Sequence, residues 1–251
     1  MTLASILDLV QSQALEDAVA RAEQWIETRR QGVVCFANVH VVETARRNRG
    51  LAGALSNADL VLADGAPVAW ALGRFSGRPA TRVTGSDFFH ALCGRGKGKY
   101  RHLFIGSTPA TLSRLTNEVV HRYPGIKIVG EIAPPFGSWS EDEATRIIAE
   151  INAANPDVVW VGLGAPRQEL WMQQARSSVS APVIAGVGAV FDFVSGNRVR
   201  APRWMQRVGL EWLHRLAHEP RRLGPRYLRT NASFVVAAVS SLFAQSRKAR
   251  R

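Results

Sequence analysis

A chain of 251 residues with 46% hydrophobic content has room for one sizeable α/β core and a small appendage, but not for a second full domain. Cys35 and Cys93 are its only cysteines, which excludes a disulfide framework and a CxxC redox or zinc motif, and makes a reducing compartment the default. The formal charge of +12 is unevenly placed: residues 198–251 hold thirteen Lys/Arg against Glu211 and Glu219, leaving the first 197 residues nearly neutral.

The first thirty residues carry Asp8, Glu16, Asp17 and Glu23 and no uninterrupted apolar stretch, so no signal peptide is expected and the protein is placed in the cytoplasm. Leu15, Ala18, Val19, Ala22, Trp25 and Ile26 fall on one helical face and predict an amphipathic helix over 14–29. GVVCFAN (32–38) reads as a buried strand, followed by a helix around 40–48, a strand at 59–63, a helix at 66–75 and another at 86–93 after Gly85. The same grammar then repeats. Strands are expected at 101–107, 126–130, 157–164 and 182–188, with helices near 109–122, 140–153 and 166–176.

Short apolar strands alternating with helices predict an α/β fold, a mostly parallel Rossmann-like sheet covered on both faces. Ligands bind such sheets at the carboxyl ends of the strands. The loops expected there are 63–65, 105–108, 162–169 and 186–193. Beyond residue 196 the pattern changes to a basic, aromatic-interleaved helical appendage, dividing the chain into a core over 1–197 and an appendage over 198–251. Its apolar run FVVAAVSSLFA (234–244) is too short to span a bilayer. Trp204, Trp212 and Tyr227 among arginines suit an anionic membrane surface, and equally a helical pair packed on the sheet.

The glycine turns fail the named phosphate motifs. GVGAVF (186–191) has Phe191 in place of the third glycine, and GRGKGK (94–99) lacks the Walker spacing. Asp64 follows a buried strand and precedes Gly65, a place that suits a general base for a hydroxyl, although Asp-Gly is also an ordinary turn. Asn38 ends a strand, where it can bind a sugar or cap the next helix. PRQE (166–169) opens a helix, so Gln168 can offer a donor and an acceptor while Glu169 complements the helix dipole. Asp192 between two phenylalanines implies a ligand or a buried partner. The six histidines show no ligand spacing that recurs with carboxylates, the i,i+4 pair His214 and His218 reads as a surface pair, and no metal is expected. Arginines 215, 221, 222, 226 and 229 match diphosphate, lipid headgroup or nucleic acid equally well.

In chain order, N38, ADLVLADG (58–65), RVTGSDFF (82–89), FIGS (104–107), YPG (123–125), PDVVWVGLGAPRQE (156–169), GVGAVFDFVSG (186–196), RAPRW (200–204) and GLEWLHRLAHEPRR with RYL (209–222, 226–228) resemble the WecG/TagA/CpsF family, glycosyltransferase family 26. The resemblance covers roughly residues 30–229. It implies metal-independent, inverting transfer from a UDP-sugar to an undecaprenyl-diphosphate-linked sugar, without a cofactor, at the cytoplasmic membrane face during surface polysaccharide synthesis. By matching position, Asp64 is the implied general base, with Asn38 and Gln168 near the sugars and Gly85, Gly164 and Asp192 lining the substrate site. Arg215, Arg222 and Arg226 are implied to neutralise the departing UDP. Self-association is a further expectation. Many members have threonine two residues before the asparagine; this chain has Phe36, so no hydroxyl role transfers there.

Two other classes compete. The alternating pattern with GVG also fits a nucleotide-dependent oxidoreductase, and the basic segment fits a nucleic-acid-binding module. Stacked-aromatic RNA-recognition sequences are absent from the chain, and nucleic acid is not the expected partner.

Overall fold

The computed structural model describes residues 1–96, 98–207 and 210–248, with side chains other than those at 203, 207, 215, 222, 223, 225–229 and 242–248. In chain order the elements are α1 (Leu3–Leu7), α2 (Leu15–Thr28), β1 (Gly32–Ala37), α3 (Val39–Arg47), α4 (Arg49–Ser56), β2 (Leu60–Ala63), α5 (Ala66–Ser76), α6 (Gly85–Arg95), β3 (Arg101–Gly106) and α7 (Pro109–Arg122). They continue with β4 (Lys127–Ile132), α8 (Glu141–Ala154), β5 (Val158–Gly162), α9 (Arg167–Ala175), β6 (Val183–Gly186), α10 (Val190–Val194), α11 (Arg203–Arg207), α12 (Glu211–His218) and α13 (Pro220–Lys248). The six strands form one sheet in the order β2-β1-β6-β5-β3-β4, and every pairing is parallel.

The α/β reading of the sequence is therefore met. β1, β2, β5 and β6 hold only apolar residues and glycine because helices cover both faces, while the edge strand β4 carries Lys127 and Glu131 and β3 opens on Arg101. Along β1 the faces alternate with the period of two expected of a strand. Val33, Cys35 and Ala37 join one apolar layer with residues of α1, α3, α4, α5, α9 and α13, while Val34 and Phe36 join the opposite layer with α2, α6 and α7. Short polar side chains start the helices. Asn38, Asn48, Thr84, Thr108 and Ser140 each accept a hydrogen bond from the amide three residues on, satisfying a donor that the first turn leaves unpaired.

Among the described residues three helices escape the sequence pattern, α1, α4 and α10, the last lying where a loop over 186–193 is expected; the first two show why. α1 is only five residues long, and α4 (RGLAGALS) carries two glycines that lower its helix propensity. Both are formed by burial, with Leu3, Ile6, Leu7, Leu51 and Leu55 essentially inaccessible.

The basic C-terminal part packs on the core. α13 lies against α1, α3 and α5, burying Phe234 and Ala238. Among the described residues, no helix is long and apolar enough to cross a membrane.

Candidate active site

Because the strands are parallel, their carboxyl ends share one edge, and the order reverses around β1 and β6, where open α/β sheets have their crevice. Ala37 of β1 is in register with Ala63 of β2. Asn38 and Asp64, the residues that follow this pair, therefore emerge side by side. The Asp64 amide donates to the Ala37 carbonyl at 3.0 Å, extending the pairing by one residue and leaving Asp64 half-buried at the rim. Gly65 then turns the chain with φ of 117°, a left-handed value that glycine adopts freely, and α5 begins. The Asn38 Oδ1 accepts from the Val41 amide at 3.1 Å, so the capping role read from the sequence is in place.

Across the crevice, the loop after β5 and the end of β6 are joined by Gln168. Its Oε1 accepts from the Gly164 amide at 3.1 Å, and its Nε2 donates to the Gly186 carbonyl and to Glu169 Oε1, both at 2.9 Å. The side chain is buried, so its polar atoms bind protein. Glu169 is 1% exposed, and burial pushes its carboxyl up to about 7 against the lowering effect of its own backbone amide and Gln168. In the sequence both residues look like surface groups of a first helical turn; only packing against β6 hides them.

A third wall is the amino end of α6. Gly85 is buried there, and a side chain at this position would meet the Val187 carbonyl at 3.4 Å and the Phe36 ring at 3.5 Å. Phe36 points into this same layer, its ring centroid 5.6 Å from that of Phe88. Arg200 reaches this end of the helix. Its Nη2 bonds Asp87 Oδ1 at 3.0 Å, its Nε lies 3.4 Å from Glu211 Oε1, and Arg82 Nη1 bonds Glu211 Oε2 at 2.8 Å. Burial pushes the Asp87 carboxyl up, but hydrogen bonds from Thr84 and Arg200 and the charges of Arg200 and Arg82 hold it below its ordinary value. Asp192 has a protein partner too: Arg198 Nε lies 3.3 Å from it and Arg198 Nη1 3.2 Å from Glu219.

These ion pairs tie both ends of α12 to the core rim. The sequence singled out neither Arg82, Asp87, Arg198 nor Arg200 as site residues, and the only signal was opposite charges far apart in the chain. Arg215 lies on α12 and Arg222 and Arg226 lie on α13, but their side chains fall outside the described ones. Among the described residues, no group of three or more His, Cys, Asp or Glu side chains gathers in a metal-binding arrangement.

At the carboxyl edge of the sheet, Asp64 and Asn38 thus stand side by side after β2 and β1, Gln168 ties the Gly164 loop to Gly186, and ion pairs through Arg198 and Arg200 hold α12 to the core. Comparison with known proteins gives the chain a family. The chain is 31% identical over 201 residues to the N-acetylglucosaminyldiphosphoundecaprenol N-acetyl-beta-D-mannosaminyltransferase of Bacillus subtilis (strain 168), covering 80% of this chain and 77% of that one. It is 29% identical over 218 residues to the protein of the same description from Bacillus spizizenii, covering 86% of this chain and 82% of that one. The model of the glycosyl transferase WecG/TagA/CpsF family matches residues 5–248, nearly the whole chain, core and appendage together, and the protein belongs to that family of glycosyltransferases.

Proposed function

We propose that this glycosyltransferase moves an N-acetylmannosamine residue from its UDP donor to N-acetylglucosamine carried on a polyprenyl diphosphate. What supports the reading most is the similarity to two relatives described as N-acetylglucosaminyldiphosphoundecaprenol N-acetyl-beta-D-mannosaminyltransferases, together with Asp64 at the carboxyl edge of the sheet. In this mechanism the Asp64 carboxylate takes the proton of the acceptor hydroxyl. The freed oxygen attacks the anomeric carbon from the face opposite the diphosphate, the bond from that carbon to the diphosphate oxygen breaks, and UDP leaves with the electron pair. Inversion at the anomeric carbon follows from the single displacement.

Asn38 stands beside Asp64 at the acceptor side, and Gln168 shapes the donor side through the loops it joins. Arg215, Arg222 and Arg226 supply positive charge to the departing diphosphate, which makes a divalent cation unnecessary. The appendage rests on an anionic membrane at the cytoplasmic face, where the lipid-linked acceptor resides. Trp204 and Trp212 are exposed on α11 and α12, and Val235, Val236 and Val239 are exposed on α13 in an apolar stretch that lies between Arg229 and Arg247 in the sequence.

The test is UDP release from a panel of UDP-sugars with a short-chain N-acetylglucosaminyl polyprenyl diphosphate, in anionic liposomes, with and without EDTA. Release with UDP-N-acetylmannosamine that survives EDTA is the expected result. Release that EDTA abolishes sinks the metal-independent mechanism, and release with another donor only sinks the sugar assignment.

A further inference from the structure

Glu169 differs from the other acids at helix starts in this protein. A carboxylate in a first turn normally sits in water, where it complements the helix dipole. Glu169 is 1% exposed, and its Oε2 is buried without a hydrogen-bond partner among the described residues. Such an atom is costly to bury and calls for an explanation. Its other oxygen makes one side-chain contact, the 2.9 Å bond accepted from Gln168 Nε2.

That contact completes the Gln168 amide. Of the two Nε2 hydrogens, one goes to the Gly186 carbonyl at the end of β6, and Oε1 takes the Gly164 amide of the loop after β5. The remaining hydrogen has Glu169 as its acceptor. Without Glu169 it is a buried donor with nothing to bind, and the amide is drawn out of the plane that serves both glycines.

We propose that Glu169 is a positioning residue: by accepting the second Nε2 hydrogen it locks Gln168 as a strut between the Gly164 loop and the Gly186 strand end, and so sets the shape of the donor side of the crevice. The elevated carboxyl of Glu169 agrees with this arrangement, since a neutral acid accepts this bond without leaving a bare charge on the unpartnered oxygen. The effect on catalysis rests on the transferase reading; the strut itself does not.

The experiment compares Glu169→Leu with Glu169→Gln. The strut is read by hydrogen exchange of the Gly164 amide in the free protein, and function by the donor kcat/KM for UDP release. In Glu169→Leu the Gly164 amide is expected to exchange about tenfold faster. Donor kcat/KM is expected to fall about 10- to 100-fold, as when a supporting partner of a site residue is removed. Melting temperature is expected to fall slightly, because losing the acceptor leaves the buried Gln168 donor unpaired while the unpartnered carboxyl oxygen is removed with it. Glu169→Gln retains an acceptor oxygen and is expected to keep both Gly164 protection and kcat/KM within about threefold, a difference smaller than one ordinary hydrogen bond. Unchanged Gly164 protection in Glu169→Leu, or equal impairment of Glu169→Gln, overturns the proposal. If Glu169→Leu does not fold, Glu169→Asp withdraws the acceptor by one methylene and is read in the same way. Exchange needs no substrate, so a wild-type protein that releases no UDP removes the transferase reading while Gly164 still decides on Glu169.

Discussion

Ser233 Oγ donates a 2.6 Å hydrogen bond to Glu43 Oε2, joining α13 to α3 across 190 residues of chain. The same hydroxyl accepts from Arg47 Nη2 at 3.0 Å, and Glu43, 2% exposed, is also held by Arg46 at 2.6 Å. A serine on the appendage thus completes a buried charge of the core. Ser233→Ala is expected to lower stability by about 1–2 kcal/mol, because Glu43 retains Arg46 but loses a charge-assisted bond. Denaturant midpoints measure the loss, and amide exchange over Phe234–Ala238 should quicken first. If that exchange stays unchanged, the bond does not anchor α13.

Arg200 bridges Asp87 of α6 and Glu211 of α12. Arg200→Leu leaves both partly buried carboxylates short of a partner, with Arg82 still on Glu211. Limited proteolysis around residues 198–219 is expected to accelerate several-fold, and UDP release to fall with it if docking of the appendage completes the site. Faster cleavage with full activity would separate docking from catalysis.

Asp64→Asn keeps the size and turn geometry of the rim residue and removes its basicity. Turnover is expected to drop about 10²- to 10⁴-fold, the usual contribution of a general base, with the donor KM nearly unchanged. Steady-state UDP release measures it. Turnover of the Asp64→Asn variant within a fewfold of wild type would move the base elsewhere.

His102, on β3, and Glu169 give stability opposite pH slopes. Trp160 Nε1, which can only donate, bonds His102 Nδ1 at 3.1 Å, so the His102 proton sits on Nε2 and a second proton on Nδ1 would oppose the indole N–H. Burial holds His102 down at about 4, below its ordinary 6.5. Its stabilisation is therefore complete above pH 6.5 and is lost as pH falls from there toward 4, by about 1.4 kcal/mol per unit. Glu169, raised from 4.5 to about 7, stabilises fully below 4.5 and loses that contribution as pH rises through 7. Urea midpoints across about pH 4–8 should show the acid limb flatten in His102→Gln and the neutral limb flatten in Glu169→Leu. Unaltered limbs would show that other groups carry the pH dependence.

Much of this architecture is written in local pattern. The apolar runs that became β1, β2, β3, β5 and β6 each lie within a residue or two of their expected places, and β4 extends two residues past its expected end at 130. Asp64 and Asn38 were legible because a polar residue directly after a buried strand emerges at the carboxyl edge. Gln168 and Glu169 were legible as helix-start residues but not as buried ones. Their burial comes from contact with Gly186 and Gly164 and with the helix layer above Cys35, which no pattern in PRQE encodes. The network of Arg82, Asp87, Arg200 and Glu211 was hidden for a related reason: opposite charges 129 residues apart carry no periodic signal.

By itself, the sequence determined the alternation of strands and helices, the double-faced sheet, the carboxyl-edge position of Asp64 and the basic character of the last fifty residues. These depend on hydrophobic periodicity and side-chain charge, which are local properties. Tertiary structure alone decided that β6 inserts between β1 and β5, that Gln168 spans two loops, and that α13 docks on α3 through Ser233. Burial pattern marks which residues leave water but not which neighbour receives them, and that choice is made only when the whole sheet and its two helical layers pack together.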